Sequence, residues 1–248
     1  MTREFHAQAD EDVILADIFQ NQKTGTCLEV GALDGIQDSV TLHFEQRGWS
    51  CILIEANPEL ADKAKSARRA SVFACAAGPV SGTVELILAK GAPYLSTTRP
   101  TNAHLARISN DGAIAEKIRV PMIRVDDALE KASVSHLDFA SIDVEGAELD
   151  VLRGFDLERW KPRVLLIEDN DPGVRPYLRA HGYHCFLHAG WNDWYARKDD
   201  RALLTPSRRS SEWRRRCRHR VYSCTIGLLP VRFQNALVRW KRKWLRSL

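Results

Sequence analysis

Five short apolar runs, Thr26–Val30, Cys51–Glu55, Ser71–Cys75, Phe139–Asp143 and Val164–Glu168, alternate with helical patterns along this chain, and no other feature narrows its fold so far. Strands that are apolar on both faces need cover on both faces, and strands alternating with helices build βαβ units on a parallel sheet. The pattern therefore predicts an α/β fold. Helix ends are legible as well. A helical opening is expected over Asp10–Asn21, Asp38 or Ser39 is placed to cap a helix that stops at Gly48, and Pro58 opens one running toward Arg69. Two later runs, Tyr183–His188 and Asp193–Arg197, can pair through Gly190 as an antiparallel hairpin at the sheet edge. Between the third and fourth runs lies a long insertion, Ser81 to Leu129, with β-like stretches at Val84–Leu88 and Ile118–Val125 around a polar middle. Insertions of that length over an α/β sheet are usually functional, and acceptor binding is the expected role.

Charge divides the chain in two. Residues 1–200 carry a net charge of −9 and residues 201–248 carry +13, which the overall +4 conceals. An acidic body, expected to be one domain over 1–200, thus precedes a basic extension over 201–248, and the two should meet different partners. In that extension, Arg208-Arg209 and Arg214-Arg215-Arg216 lead to a final helix opened by Pro230. There Phe233, Leu237, Trp240, Trp244 and Leu248 recur at helical spacing among arginines and lysines. A basic amphipathic helix with two tryptophans suits an anionic membrane surface. The other uses are packing on the body or on another subunit of a homo-oligomer, and nucleic-acid binding. The six cysteines include no C-x-x-C pair. Cys27, Cys51 and Cys75 sit in or beside apolar runs, as reduced cysteines do. Met1–His6 has no leader-like apolar stretch, and no run approaches 18 apolar residues. The expectation is a cytoplasmic protein, peripheral on the inner membrane face if the tail binds lipid.

The residues with most chemical content are Glu29-Val30-Gly31-Ala32-Leu33-Asp34-Gly35, directly after the first strand, and Glu55 at the end of the second, twenty residues past Gly35. Glycines let the backbone turn tightly and approach a ligand. An acid ending the second strand can accept hydrogen bonds from both hydroxyls of a ribose. The loop is not G-x-G-x-x-G, since Leu33 and Asp34 stand where a pyrophosphate needs bare backbone. An adenosine ligand without phosphates fits better.

In order along the chain, Gln8-x-x-Glu11-Asp12, Glu29-x-Gly31-Ala32-x-Asp34-Gly35, Glu55-Ala56-Asn57-Pro58, Ile142-Asp143-Val144-Glu145-Gly146-Ala147-Glu148, Val151-Leu152-x-Gly154 and Ile167-Glu168 resemble the FkbM-type S-adenosylmethionine-dependent methyltransferases. The resemblance covers roughly Gln8 to Arg197. It implies a class I, Rossmann-like methyltransferase fold: a seven-stranded, mostly parallel sheet with one antiparallel strand near the edge, here followed by the basic helical tail. It also implies S-adenosylmethionine as cofactor. Glu29 and Gly31 would lie under its methionine part, with Ala32 beside them, and Asp34 and Gly35 would shape the turn. Glu55 would hold the ribose, flanked by Ala56 and Asn57, Cys75-Ala76-Ala77 would wall the adenine, and Asp143 would face the transfer site. Glu29 is often Asp in the family and Ala56 often Pro.

Independently of any family, Asp143, Glu145, Glu148, Glu168 and Asp169 cluster at the ends of two consecutive strands. Asp143 or Glu145 can orient an acceptor hydroxyl or take its proton. Alternatively Asp143, Glu168 and Asp169 can gather a hard cation such as Mg²⁺. Glu148 reads more simply as a helix-start acid. His184 is a further candidate base, with His188 on the same hairpin face and His104 in the insertion. Tyr183, Trp191, Trp194 and Tyr195 can stack on a sugar but read better as core. The leading expectation is O-methylation of a sugar hydroxyl in a surface polysaccharide, glycolipid or glycosylated metabolite. The alternatives are a nucleic-acid methyltransferase recruited by the tail, against which stands the lack of an N-P-P-Y-like motif, and a non-catalytic membrane scaffold.

Overall fold

The computed structural model describes residues 5–168 and 171–205. The extension from 206 onward, with its expected amphipathic helix, lies outside the described residues, as does Asp169.

In chain order the elements are α1 (Glu11–Ile18), β1 (Thr26–Val30), α2 (Leu42–Gln46), β2 (Ser50–Glu55), α3 (Pro58–Ala67), β3 (Ser71–Ala74), β4 (Ala76–Ala77), β5 (Gly82–Lys90), α4 (Asn102–Asn110), β6 (Ile114–Ile123), α5 (Val125–Lys131), β7 (Phe139–Ile142), α6 (Glu148–Arg153), α7 (Leu157–Trp160), β8 (Val164–Glu168), α8 (Val174–Ala180), β9 (Tyr183–Ala189) and β10 (Asn192–Arg197). Seven strands form one sheet in the order β3-β2-β1-β7-β8-β10-β9. Its pairings are parallel except those of β10, which runs antiparallel to both β8 and β9. This is the class I arrangement, with the reversed strand one place in from the edge.

Both faces of the sheet are covered, so the strands alternate between two cores rather than between core and water. Leu28, Val30, Ile52, Ile54, Leu165 and Ile167 pack with α5 to α8 on one face. Cys27, Cys51, Phe139, Val164 and Leu166 pack on the other, against Leu15 and Phe19 of the N-terminal segment and Phe44 and Trp49 around α2. Tyr183, Trp194 and Tyr195 are buried core, whereas Trp191 stands exposed. Among the described residues no helix is long and apolar enough to cross a membrane.

Element ends differ from the expected ones for local reasons. The first helix stops at Ile18 because Phe19 leaves helical geometry and Gln22 N donates to the Phe19 carbonyl at 2.9 Å, while at its start Asp12 and Glu11 accept from the backbone N–H groups of His6, Ala7 and Ala9. The helix expected to run from Asp38 or Ser39 to Gly48 begins only at Leu42. Asp38 has a left-handed φ of +58° and caps nothing, while Ser39 Oγ accepts from Leu42 N at 3.2 Å. Asn57 caps α3 through Glu59 N at 3.1 Å, with Pro58 in the first position. The inserted strands β5 and β6 are longer than expected and, with β4 from just before the insertion, form a second sheet, β4-β6-β5. That part ends at Ile123: Arg124 is extended, and Val125, Ala128 and Leu129 of α5 belong to the main core.

Candidate functional site

From β1 the chain steps outward through β2 to β3, and later resumes on the other side of β1 with β7. Loops leaving β1 and β7 therefore diverge, and a crevice opens at the carboxyl ends of the strands. A cleft does open there. Its floor is Val30, Gly31, Leu33, Ile54, Glu55 and Ala56, with Cys75, Ala76 and Ala77 on one flank and Asp143, Val144 and Glu145 on the other.

Gly31 is where the two flanks meet. It has φ +83°, and a Cβ there would lie 1.8 Å from the Asp143 carbonyl oxygen. Only glycine permits both that conformation and that approach. Glu29 faces away from the cleft, opposite its neighbour Val30, because successive residues of a strand point to opposite faces. Its buried carboxylate accepts from Ser39 Oγ (2.8 Å), Val40 N (2.8 Å) and Thr41 Oγ1 (2.5 Å). Arg68 reinforces the same loop, donating to the Gly35 carbonyl (2.6 Å), Ser39 Oγ (3.1 Å) and Thr41 Oγ1 (3.1 Å) and pairing with Glu45. Asp34 accepts from Ile36 N and Gln37 N and so closes the turn.

Glu55 ends β2 with its carboxylate in the cleft floor. Oε2 accepts from Leu33 N and Oε1 from Asn57 N, each at 2.8 Å. Each oxygen has a further lone pair, so two more donors can be accepted. Burial lifts its pKa to about 7, against the pull of the Asn57, Leu33 and Ala56 N–H groups. Nearby Cys75 is an unreactive wall, since burial raises its thiol to about 11.

The opposite flank is crowded with acid. Asp143, Glu145 and Glu168 each place a carboxylate oxygen within 4.8 Å of the others. Asp143 is open to the cleft yet walled by protein, and burial raises its pKa; Glu168, hydrogen-bonded to it, is pushed up by burial and by Asp143's charge. Burial likewise lifts Glu145 to about 7, although Arg107 pairs with it at 3.1 Å. Fully buried Glu148 also rises to about 7 through burial. Its Oε1 accepts from Gly146 N at 2.9 Å, and Oε2 has no hydrogen-bond partner among the described residues.

The third wall comes from the insertion. A 3-10 turn at Pro93–Leu95 and the residues after it bring Tyr94, Ser96, Thr97 and Thr98 to the cleft, with Leu86 behind them. The sequence reading missed these as individuals; the one available signal was a hydroxyl run, Ser96-Thr97-Thr98, in the polar middle of a long insertion.

Of the residues singled out from sequence, Gly31, Glu55, Ala56, Cys75, Ala76, Ala77, Asp143 and Glu145 line the cleft. Glu29, Ala32, Asp34, Gly35 and Asn57 do not line it; they shape the loops around it. Of the expected metal set, Asp143 and Glu168 come together, with Glu145 as the third member. His184 is not brought to the cleft. Because β10 is antiparallel to both neighbours, β9 runs parallel to β8, and His184 pairs with Ala196, which pairs with Val164 at the start of β8. That is four residues, about 13 Å, from the row of Glu168. His188 is nearer the cleft end, held by Asp193 at 2.8 Å.

The methyltransferase FkbM domain family matches residues 29–185 of this chain. Over 76 residues the chain is 36% identical to methyltransferase sdnD of Sordaria araneosa, a stretch covering 27% of this chain and 29% of that protein. The chain thus matches under a third of that relative's length. Among solved structures, TrmK of M. capricolum in complex with S-adenosylhomocysteine aligns over 77% of this chain and 70% of its own, at 10% identity and a TM-score of 0.40. The METTL16 methyltransferase domain aligns over 74% and 63%, at 13% identity and a TM-score of 0.38.

Proposed function

This chain belongs to the FkbM methyltransferase family, and from that premise we propose that it moves the methyl group of S-adenosylmethionine to a hydroxyl oxygen, in a sugar of a surface polysaccharide, glycolipid or glycosylated metabolite. The observation that carries the cofactor reading is Glu55: a buried acid in the cleft floor whose oxygens each retain a lone pair for a ribose hydroxyl. The flank of Cys75, Ala76 and Ala77 offers a small, apolar slot for a purine ring. The sulfonium supplies an already activated methyl group. What remains for the chain is to hold the acceptor oxygen in line and accept its proton. Asp143 and Glu145 line the cleft across from the ribose end; burial raises both, and Glu145, lifted to about 7, is suited to take that proton near neutral pH. The hydroxyl acceptor is supported by this pairing of carboxylates with the Ser96-Thr97-Thr98 wall, and by the family resemblance.

Incubation with methyl-labelled S-adenosylmethionine, followed by fractionation into glycan, glycolipid and RNA, tests the reading. Label in a glycan or glycolipid fraction supports it. Label in RNA, in an amount that falls steeply as salt is added to the reaction, favours the tail-recruited alternative. Cofactor binding by calorimetry with no label transferred anywhere favours the scaffold.

A divalent cation is a second reading, favoured by the close approach of Asp143, Glu145 and Glu168. These hard oxygen donors would hold a Mg²⁺ ion, which supplies polarisation of the acceptor hydroxyl when bound. Activity that survives dialysis against EDTA removes it. For the basic tail we propose attachment to anionic lipid on the cytoplasmic side. Chain truncated before Arg208 should then lose sedimentation with anionic vesicles at low salt while keeping cofactor binding.

A further inference from the structure

The insertion wall and the turn after β7 reach the cleft from separate parts of the chain, and among the side chains that join them Thr97 is the buried one. Thr97 is 1% exposed. Its backbone forms a two-way bridge to β5, with Ile87 N donating to Thr97 O at 2.9 Å and Thr97 N donating to Ile87 O at 3.1 Å. Its hydroxyl donates to the Glu145 carbonyl at 2.9 Å and accepts from Arg99 N at 2.9 Å. Glu145 is itself left-handed, with φ +53°, and is followed by Gly146 at φ +99°. A non-glycine residue in that region costs free energy and persists only where its surroundings hold it. The hydroxyl of Thr97 is one such hold, placed on the carbonyl of the strained residue.

The neighbours of Thr97 act in the same sense. Arg99 spans from the strap, residues 93–99, to α6, donating to both Asp150 oxygens, at 2.5 and 2.9 Å. Arg107 reaches from α4 to the Glu145 carboxylate. On the inner side, Ser96 Oγ accepts from Ala89 N at 3.1 Å, which keeps the strap on β5. Those two arginine pairs are half-exposed and individually weak, as such pairs are. The Thr97 side chain is buried, and its loss leaves the Glu145 carbonyl without this donor.

We propose that Thr97 is a positioning residue that ties the strap 93–99 to the turn after β7 and thereby sets how long a nucleoside stays in the cleft. The inference rests on the cofactor reading of the cleft. Release of a ligand walled by both segments requires them to part, and the tie is what parting breaks. Thr97 itself takes no part in methyl transfer.

Three full-length proteins test this with S-adenosylhomocysteine as probe: wild type, Thr97→Val, which removes the hydroxyl at nearly constant volume, and Thr97→Ser, which keeps it. Dissociation rates come from stopped-flow displacement at 25 °C and dissociation constants from calorimetry. Loss of one buried hydrogen bond corresponds to a rate change of about five- to tenfold. Thr97→Val should therefore release the probe about five- to tenfold faster, and Thr97→Ser within twofold of wild type. A Thr97→Val protein that melts at lower temperature yet releases at the wild-type rate overturns the tie and leaves a merely structural threonine. Equal acceleration in both variants overturns it too, because the shared loss is then the methyl group or its packing. Wild type that fails to bind the probe at all overturns the cofactor reading, and the tie with it.

Discussion

The two flanks of the cleft use carboxylates in opposite ways. On the β1–β2 side the fold supplies the donors: Glu29 takes hydrogen bonds from Ser39, Val40 and Thr41, and Glu55 takes them from Leu33 and Asn57. On the β7–β8 side acids face acids. Asp143 shares a hydrogen bond with Glu168, Glu145 pairs with half-exposed Arg107 and has His104 Nδ1 at 4.0 Å, and Glu148 leaves an oxygen without a donor among the described residues. Carboxylates supplied with donors fix backbone geometry. Carboxylates facing one another hold charge that a proton, cation or substrate must relieve. The loops of the first side are therefore fixed before any ligand arrives, with Glu55 keeping acceptor capacity for one, while the acids of the second side wait for a partner.

The harshest way to break this comparison is at the point where the flanks touch. Gly31→Ala would place a methyl group against the Asp143 carbonyl, and a φ of +83° is strained for any side chain. A cost on the order of 3–5 kcal/mol is expected from backbone strain with a clash that cannot relax. The melting temperature should fall sharply and S-adenosylhomocysteine binding should vanish. A variant that folds and binds normally would mean the flanks are not held at this distance.

Glu29→Ala probes the fixed loops of the first side. Removing a buried acceptor strands at least three donors around Ser39–Thr41, so a loss of about 3 kcal/mol in stability is expected, read from denaturant midpoints. The effect should be on stability first and on cofactor affinity second. The reverse order would move Glu29 back among the ligand-touching residues.

Glu55→Ala should instead act on binding, weakening S-adenosylmethionine by roughly 1.5–3 kcal/mol, as loss of charged hydrogen bonds does. The pH dependence has a definite sign. The ionised carboxylate is the better acceptor for ribose hydroxyls, and its pKa without ligand is about 7. Binding should therefore tighten as pH rises through 7 and flatten above it, and Glu55→Gln should abolish that slope. Calorimetry at pH 6 and pH 8 separates the outcomes. An identical slope in wild type and Glu55→Gln would assign the titration to the other flank.

The two flanks also differ in how much of them the sequence discloses. Glu55 is legible because strand end, turn glycines and spacing are local features of one βαβ unit. Glu29 belongs to the same motif, yet strand alternation sends it to the opposite face, a consequence that motif spacing alone does not convey. The strand-end acids Asp143 and Glu168 are legible one by one, but their hydrogen bond depends on the pairing of β7 with β8. His184 reads from sequence as a candidate base because a hairpin pattern does not say which of its ends faces the cleft. Thr97 left no signal of its own, since its role arises from contacts to Ile87 and Glu145, 10 and 48 residues away. Side chains that act within one unit can be read from the chain; those that act across units need the fold.

The smallest effect comes from the second side and has an unusual sign. Glu148 has a folded-state pKa of about 7 against an ordinary value near 4.5, because it is buried with one oxygen lacking a donor. Between those two values the folded state binds more protons than the unfolded chain, so stability falls as pH rises across that window. Glu148→Gln removes the charge while its side-chain oxygen can still accept from Gly146 N. At pH 5 the substitution should be close to neutral. At pH 8, where the wild-type group is a buried anion beside Asp143, it should stabilise the ligand-free protein by about 1 kcal/mol and flatten the decline of melting temperature between pH 5 and pH 8. A loss of stability at pH 8 would show that the charge on Glu148 is already compensated, and the contrast between the two sides would not extend to it.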